Sequence, residues 1–250
     1  GTVSKAAPRQ VGLETALDGA AICPATGGSC YLVETSAASL TDGAALNARF
    51  AHWLEPAGQG QAFLAAESGH ALPATCADVV FADIETAGLS SSPLFLIGAM
   101  VWEGDGFVLR QFLARDYSEE RAVIAAFLEL CGSRGVLVTF NGKSFDVPFI
   151  RSRAAATGLR GQTLRLDHLD LLHVSRRTWR GTLPDCRLQT LERSICRRQR
   201  DDDIPGSLIP EAYHAFVRTG NAWQMVDIMR HNLLDLITLA DILTRLPNGC

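Results

Sequence analysis

An α/β domain, built on a mixed five-stranded sheet flanked by helices and preceded by a small N-terminal extension, is the fold class that this 250-residue sequence predicts. Three observations point to it. From Ala77 onward, three strand-like runs follow one another with only turns between them. Helical patterns and short apolar runs then alternate. Residues 1–75, rich in Ala, Gly, Ser and Thr, show neither pattern with the same clarity and are assigned as the extension, a small α+β element packing on a core of residues 76–250.

Taking the elements in order, AAICPATGGSCYLVE suggests a short hairpin around Gly27-Gly28, and TDGAALNARFAHWL places Leu46, Phe50, Trp53 and Leu54 on one helical stripe. The following GQGQAFLAAESGHALPATC, from Gly58, reads as linker and loop. ADVVFADIE, LFLIGAMVW and GFVLRQFLA read as three strands, the last two joined by the turn-rich Glu103-Gly104-Asp105-Gly106. YSEERAVIAAFLELC reads as a helix capped by Ser118, with acids in its first turn. GVLVTF is wholly apolar, as expected of a strand covered on both faces of a parallel sheet. FDVPFIRSRAAATG opens a further helix with Asp146 near its start and Gly158 as its stop. LRLDHL is the fifth strand, followed by a helix from Asp170. Helical patterns then cover 187–197, 208–219 and about 221–245, separated by the DDDIPG loop.

Composition narrows the function classes. No apolar run approaches the roughly 18 residues of a spanning helix, so no membrane segment is expected, and the first thirty residues lack a continuous apolar signal core. The seven cysteines include no CxxC pair, which favours reduced thiols in a cytoplasmic protein over a disulfide framework or a zinc site. A formal net charge of −4 argues against blanket binding to polyanions. The basic residues are nevertheless unevenly placed: only Lys5 and Lys143 are lysines, and eight arginines fall between Arg176 and Arg200 against two acids, Asp185 and Glu192. Arginine suits bidentate phosphate contacts. The competing reading is a solvated helix face, with Leu188, Leu191 and Ile195 turned inward.

Chemistry concentrates in three segments. In VVFADIETAG, alternation along a strand projects Asp83 and Glu85 to one face and Ile84 to the other. Two such charges ~4 Å apart repel by about 4 kcal/mol at an effective dielectric of 20. The segment holds no Lys or Arg, so a proton, a distant basic group or a hard divalent cation must offset the repulsion. VLVTFNGKSFDVPF delivers Asp146 from the C-terminal end of a buried strand, where α/β proteins gather ligands; helix capping is the alternative reading of Asp146. MRHNLLDL sets His231 and Asp235 four apart on one helical face, where Asp227 offers His231 an ordinary ion-pair partner instead.

These segments resemble the motifs of the DEDD-type 3′–5′ exonuclease superfamily, a branch of the ribonuclease-H-like fold: Asp83-Ile-Glu85, then Asn141 with Asp146, then His231 with Asp235. FADIETAGL, TFNGKSFDVPFI, DLLHVSRR, LPDCRLQTLE, DDIPG and HNLLDL are most similar to the bacterial YprB-like family, over about residues 77–246. The histidine here stands four residues before the last aspartate, the spacing of the family's tyrosine branch, whereas its histidine branch uses five. The resemblance implies hydrolysis of phosphodiester bonds at a nucleic-acid 3′ end, with Asp83, Glu85, Asp146 and Asp235 holding two Mg²⁺ or Mn²⁺ ions and His231 accepting the proton of the attacking water. It also implies that Asn141, Lys143, Arg176, Arg177 and Arg180 contact the nucleic acid. Phe140 and Phe145 are candidates for base stacking or for core packing. A weakly active nucleic-acid-binding scaffold and a structure-specific endonuclease are the alternatives. DNA or RNA preference, protein partners and oligomeric state are not legible in the residues.

Overall fold

A computed structural model describes residues 10–71, 73–89, 91–159 and 164–247. The chain runs α1 (Leu13–Ala16), β1 (Ala20–Ile22), β2 (Cys30–Ser36), α2 (Gly43–Leu54), α3 (Gln59–Ser68), β3 (Val79–Thr86), β4 (Leu94–Glu103), β5 (Gly106–Leu113), α4 (Glu120–Cys131), β6 (Val136–Thr139), α5 (Asp146–Ala156), β7 (Asp167–Asp170), α6 (Leu171–Trp179), α7 (Leu188–Ser194), α8 (Ile209–Thr219) and α9 (Trp223–Thr244). One sheet of seven strands takes the order β1-β2-β5-β4-β3-β6-β7. The central five are the expected meander β3-β4-β5 and the parallel additions β6 and β7.

The two extra strands correct the predicted count. The hairpin around Gly27 and Gly28, both at positive φ, pairs Ile22 with Cys30 and then lays β2 antiparallel along β5, Tyr31 opposite Leu113. A local pattern identifies a hairpin but not the edge that receives it. The stretch from Gly58 is a second correction. Its Gly-rich composition hides α3, which forms because Gly60 lets the backbone lie against the Trp53 ring; a Cβ there would meet ring carbon Cε3 at 2.6 Å. Asp116, not Ser118, caps the turn before α4, its carboxylate accepting from the Ser118 N–H. α7 is also shorter than expected, ending at Ser194.

Helices cover both faces of the sheet. On one face Val80, Ala82 and Ile84 join residues of α4, α5, α8 and the start of α9; on the other Val79 and Phe81 join α2, α6 and the later turns of α9. Phe81 is fully buried and meets the rings of Phe50 and Phe107 at 5.7 and 5.6 Å, so trimming it to alanine is expected to cost about 3–5 kcal/mol. Among the described residues no helix is long and apolar enough to cross a membrane.

Candidate active site

The sheet itself places the first two acids. β3 pairs with β6 only through Val79, Val80 and Phe81. Beyond Phe81 that edge of β3 is unpaired, and Asp83 and Glu85 continue the face of Val79 and Phe81 into the opening. β4 backs them on the other edge, with Gly98 opposite Asp83. That glycine is required: a Cβ on it would come within 2.0 Å of the Asn232 amide oxygen. Asn232, fully buried on α9, uses the close approach to donate from Nδ2 to Asp83 Oδ2 at 2.9 Å, while its oxygen accepts from Gln111 Nε2 at 3.0 Å.

β6 brings the third acid. The strand ends at Thr139, and the chain turns sharply through Asn141, at φ 66°, and Gly142, where a Cβ would meet Thr139 Oγ1 at 2.2 Å. Asparagine tolerates this left-handed backbone better than most residues. The turn is fastened by buried Asp170, whose Oδ1 accepts from the N–H of Asn141 at 2.8 Å and of Leu172 at 3.0 Å, and whose Oδ2 accepts from the Lys143 N–H at 3.0 Å. Asp146 then opens α5 as its first residue and is itself buried.

α9 supplies the fourth acid and the histidine. His231 Nδ1 lies 2.9 Å from Asp203 Oδ1 and His231 Nε2 lies 3.6 Å from Asp235 Oδ2. Asp203, from the DDDIPG loop, therefore partners His231 where the sequence offered Asp227. Arg200 closes the group: Nε reaches Glu192 at 2.6 Å, Nη1 reaches Asp203 at 3.2 Å and Nη2 reaches Asp235 at 2.5 Å. Its side chain is only 5% exposed.

The electrostatics follow from this placement. Burial pushes Asp83 well above the usual carboxylate range, and the nearby charges of Asp235, Glu85 and Asp146 push it further, against the Asn232 hydrogen bond. Burial likewise raises Glu85, with Asp235, Asp146 and Asp203 adding. Burial lifts Asp146 to about 7, opposed by backbone N–H groups of Asp146 itself and Ile84 and reinforced by Asp170 and Asp235. Asp235 is raised by burial against the pull of Arg200 and His231. Four acids from three segments thus sense one another, and among the described residues only Asp235 of the four is paired with cationic side chains.

An all-oxygen donor set carrying unneutralised charge fits a hard divalent cation. As they stand, no three His, Cys, Asp or Glu side chains among the described residues are gathered closely enough to hold an ion. Mutual repulsion among the four carboxylates is a sufficient physical cause of that spread.

The predicted nucleic-acid contacts divide. A cleft of about 530 Å³ opens over Asp83 and Asp235, walled by Phe140, Asn141, Arg176 and Arg187. Lys143 and Phe145 are exposed in the adjoining turn, the Phe145 ring tilted against that of Phe149 with centroids 5.6 Å apart. Arg177 instead pairs with Glu67 at 2.6 Å, and Arg180 is exposed outside the residues that wall the cleft. Of the arginines read as a solvated face or a phosphate track, Arg198 and Arg200 are neither: they bind Glu192, Asp203, Asp235 and Asp241 inside the protein. Sequence reading missed Asn232, Asp170, Asp203 and Arg200. Asp170 alone carried a signal, as an acid directly before a helix.

The family model described as RNase_H superfamily (RNase_H_2) matches residues 80–247. The protein YprB of Bacillus subtilis (strain 168) is 32% identical over 172 residues, covering 66% of this chain and 41% of YprB, so the chain spans less than half of that relative's length. Among solved structures, the family B DNA polymerase of the hyperthermophilic archaeon Pyrobaculum calidifontis superimposes with a TM-score of 0.52 at 20% identity, over 66% of this chain and 24% of the polymerase, a likeness of fold. With its match running through β3, β6 and α9, the elements that carry the four acids, the chain belongs to the RNase_H superfamily.

Proposed function

We propose that the protein is a metal-dependent nuclease that hydrolyses phosphodiester bonds from the 3′ end of a nucleic acid. Membership of the RNase_H superfamily supports a hydrolase acting on nucleic acid. The observation that carries the reading is the cluster of Asp83, Glu85, Asp146 and Asp235, each raising or sensing another's ionisation, of which Asp83 and Asp235 line a cleft walled by Arg176 and Arg187. These four residues would hold two Mg²⁺ or Mn²⁺ ions, which supply an activated water and charge stabilisation at the leaving oxygen.

The remaining work falls to the chain's own groups. Asp203 holds Nδ1 of His231, which leaves Nε2 facing Asp235 and able to accept a proton from water at the cluster. Phe140 and Asn141 wall the cleft beside Asp83, where a terminal nucleotide would lie, and Arg176 and Arg187 face its phosphates. The test uses end-labelled DNA and RNA oligonucleotides with Mn²⁺, with and without chelator. Shortening from the 3′ end that the chelator abolishes is the expected result. Internal cuts would replace the exonuclease by an endonuclease, and binding without products would leave a scaffold.

A further inference from the structure

We infer that Arg200 is a positioning residue of the acidic cluster, a three-armed clamp that sets the orientation of Asp235 and, through Asp203, of His231. The inference rests on the proposed function, because it concerns how the same carboxylates receive a cation.

The geometry is closed on every side. Arg200 donates to Asp235 on one oxygen only, Oδ1, while the other, Oδ2, faces His231 Nε2 at 3.6 Å. Asp203 is held by two partners, Arg200 Nη1 at Oδ2 and His231 Nδ1, which lies 2.9 Å from Oδ1 and 3.0 Å from Oδ2. Asp203, Arg200, Asp235 and His231 therefore form a ring in which each member touches two others. The third arm anchors the ring: Arg200 Nε binds Glu192, which is buried and accepts from Thr238 Oγ1 at 2.8 Å. Thr238 lies three residues beyond Asp235 on α9. Arg198 repeats the fastening one step further along, reaching Thr238 at 3.1 Å and Asp241 at 3.1 Å. The loop before α8 is thus fixed to one stripe of α9.

A guanidinium so enclosed does not serve as a phosphate contact, and its fork is matched to three carboxylates at fixed directions. A loosely held counter-ion would have no need of Glu192 and Asp203, neither of which is one of the four acids. What the clamp leaves without a hydrogen bond is a single oxygen of Asp235, Oδ2, and a single nitrogen of His231, Nε2, which face each other at 3.6 Å.

Calorimetric titration with Mn²⁺ alone, without nucleic acid, tests the clamp. Arg200→Lys keeps the charge and loses the fork, so its Mn²⁺ affinity is expected to fall at least tenfold, and kcat on an oligonucleotide to fall with KM unchanged. Asp203→Asn, nearly isosteric, removes one arm and is expected to weaken Mn²⁺ about threefold. Affinity in Arg200→Lys equal to that of the wild type would overturn the clamp and leave charge alone. Tighter binding would overturn it too, marking Arg200 as a competitor of the ion. Should Arg200→Lys fail to fold, as judged by its melting transition, Asp203→Asn decides: unchanged affinity there rejects the inference. A wild type that binds no Mn²⁺ refutes the proposed function, and the clamp with it.

Discussion

Asp146→Asn separates the electrostatic account of the site from any purely steric one, because only the former makes the variant's effect depend on pH. Burial lifts the Asp146 carboxyl from 3.8 to about 7. Between those values the native state keeps a proton that the unfolded chain has lost. The stability attached to that proton is complete below pH 3.8 and disappears as pH rises through about 7. Between pH 5 and 8 the loss comes to about 3 kcal/mol at most. Asparagine carries no charge at any pH and escapes it. His168 runs the other way, since burial lowers it from 6.5 to about 4 and stability rises with pH across that interval; the wild-type curve alone therefore mixes two slopes. Subtracting the variant's curve removes His168 from the comparison. In chelator, the melting temperature of Asp146→Asn relative to the wild type is expected to rise between pH 5 and pH 8 by about 5–10 °C for a chain of this size. Relief of Asp83 and Glu85, both of which sense Asp146, widens the gap. A wild-type-to-variant difference that stays constant from pH 5 to pH 8 would refute the reasoning.

Three further outcomes are expected. Asp83→Asn removes one proposed ligand and one of the mutually repelling charges, so hydrolysis of a labelled oligonucleotide should vanish while apo stability at pH 8 rises; retained activity counts against the ligand assignment. Asn232→Ala leaves Asp83 Oδ2 and Gln111 Nε2 without their shared partner, which should lower stability by about 1–3 kcal/mol in denaturant titration and reduce kcat. If Arg176 and Arg187 meet phosphates from the cleft wall, replacing either by alanine should reduce the slope of log affinity against log salt by about one, whereas Arg177→Ala, its side chain already paired with Glu67, should leave the slope unchanged.

What the sequence disclosed, and what it withheld, divides along a physical line. Alternation is a local property, so the shared face of Asp83 and Glu85 was legible from VVFADIET alone, as was the helical spacing of His231 and Asp235. The apolar run of β6 with the Asn141-Gly142 turn announced where Asp146 would emerge. Partners brought together by the topology were not legible. Asn232 stands 149 residues from Asp83, and within HNLLDL it reads as one more polar position on a helix. Arg200 sits in a run of arginines whose charge suggested solvent or phosphate, yet it is among the least exposed side chains near the site. Its burial is visible only once Glu192, Asp203 and Asp235, spread over 44 residues, are known to face a single point. The strand count failed for the same reason, since β2 finds its place along β5 through pairing between Tyr31 and Leu113.

The four acids are not equivalent, and the difference bears on what must occupy the site. Asp83 has a neutral amide donor, Asp146 has backbone N–H groups, and Asp235 has Arg200 and His231. Glu85 has none of these: no hydrogen bond to it is found among the described residues, and each charge that shifts it is an acid. A half-buried carboxylate beside three others and with no donor is stabilised by a proton or by a cation from outside the chain. Protonation satisfies it at low pH, at the expense of any oxygen able to bind a metal. Once Glu85 ionises, an external cation would balance it best on the Glu85 side of the cluster, away from the Arg200 arm. Calorimetric binding of Mn²⁺ should therefore strengthen steeply as pH rises toward 8, each step releasing protons, and Glu85→Gln should flatten that dependence more than Asp235→Asn does. Equal flattening by the two substitutions would mean that the cation is shared evenly across the cluster, and that the asymmetry of donors plays no part in placing it.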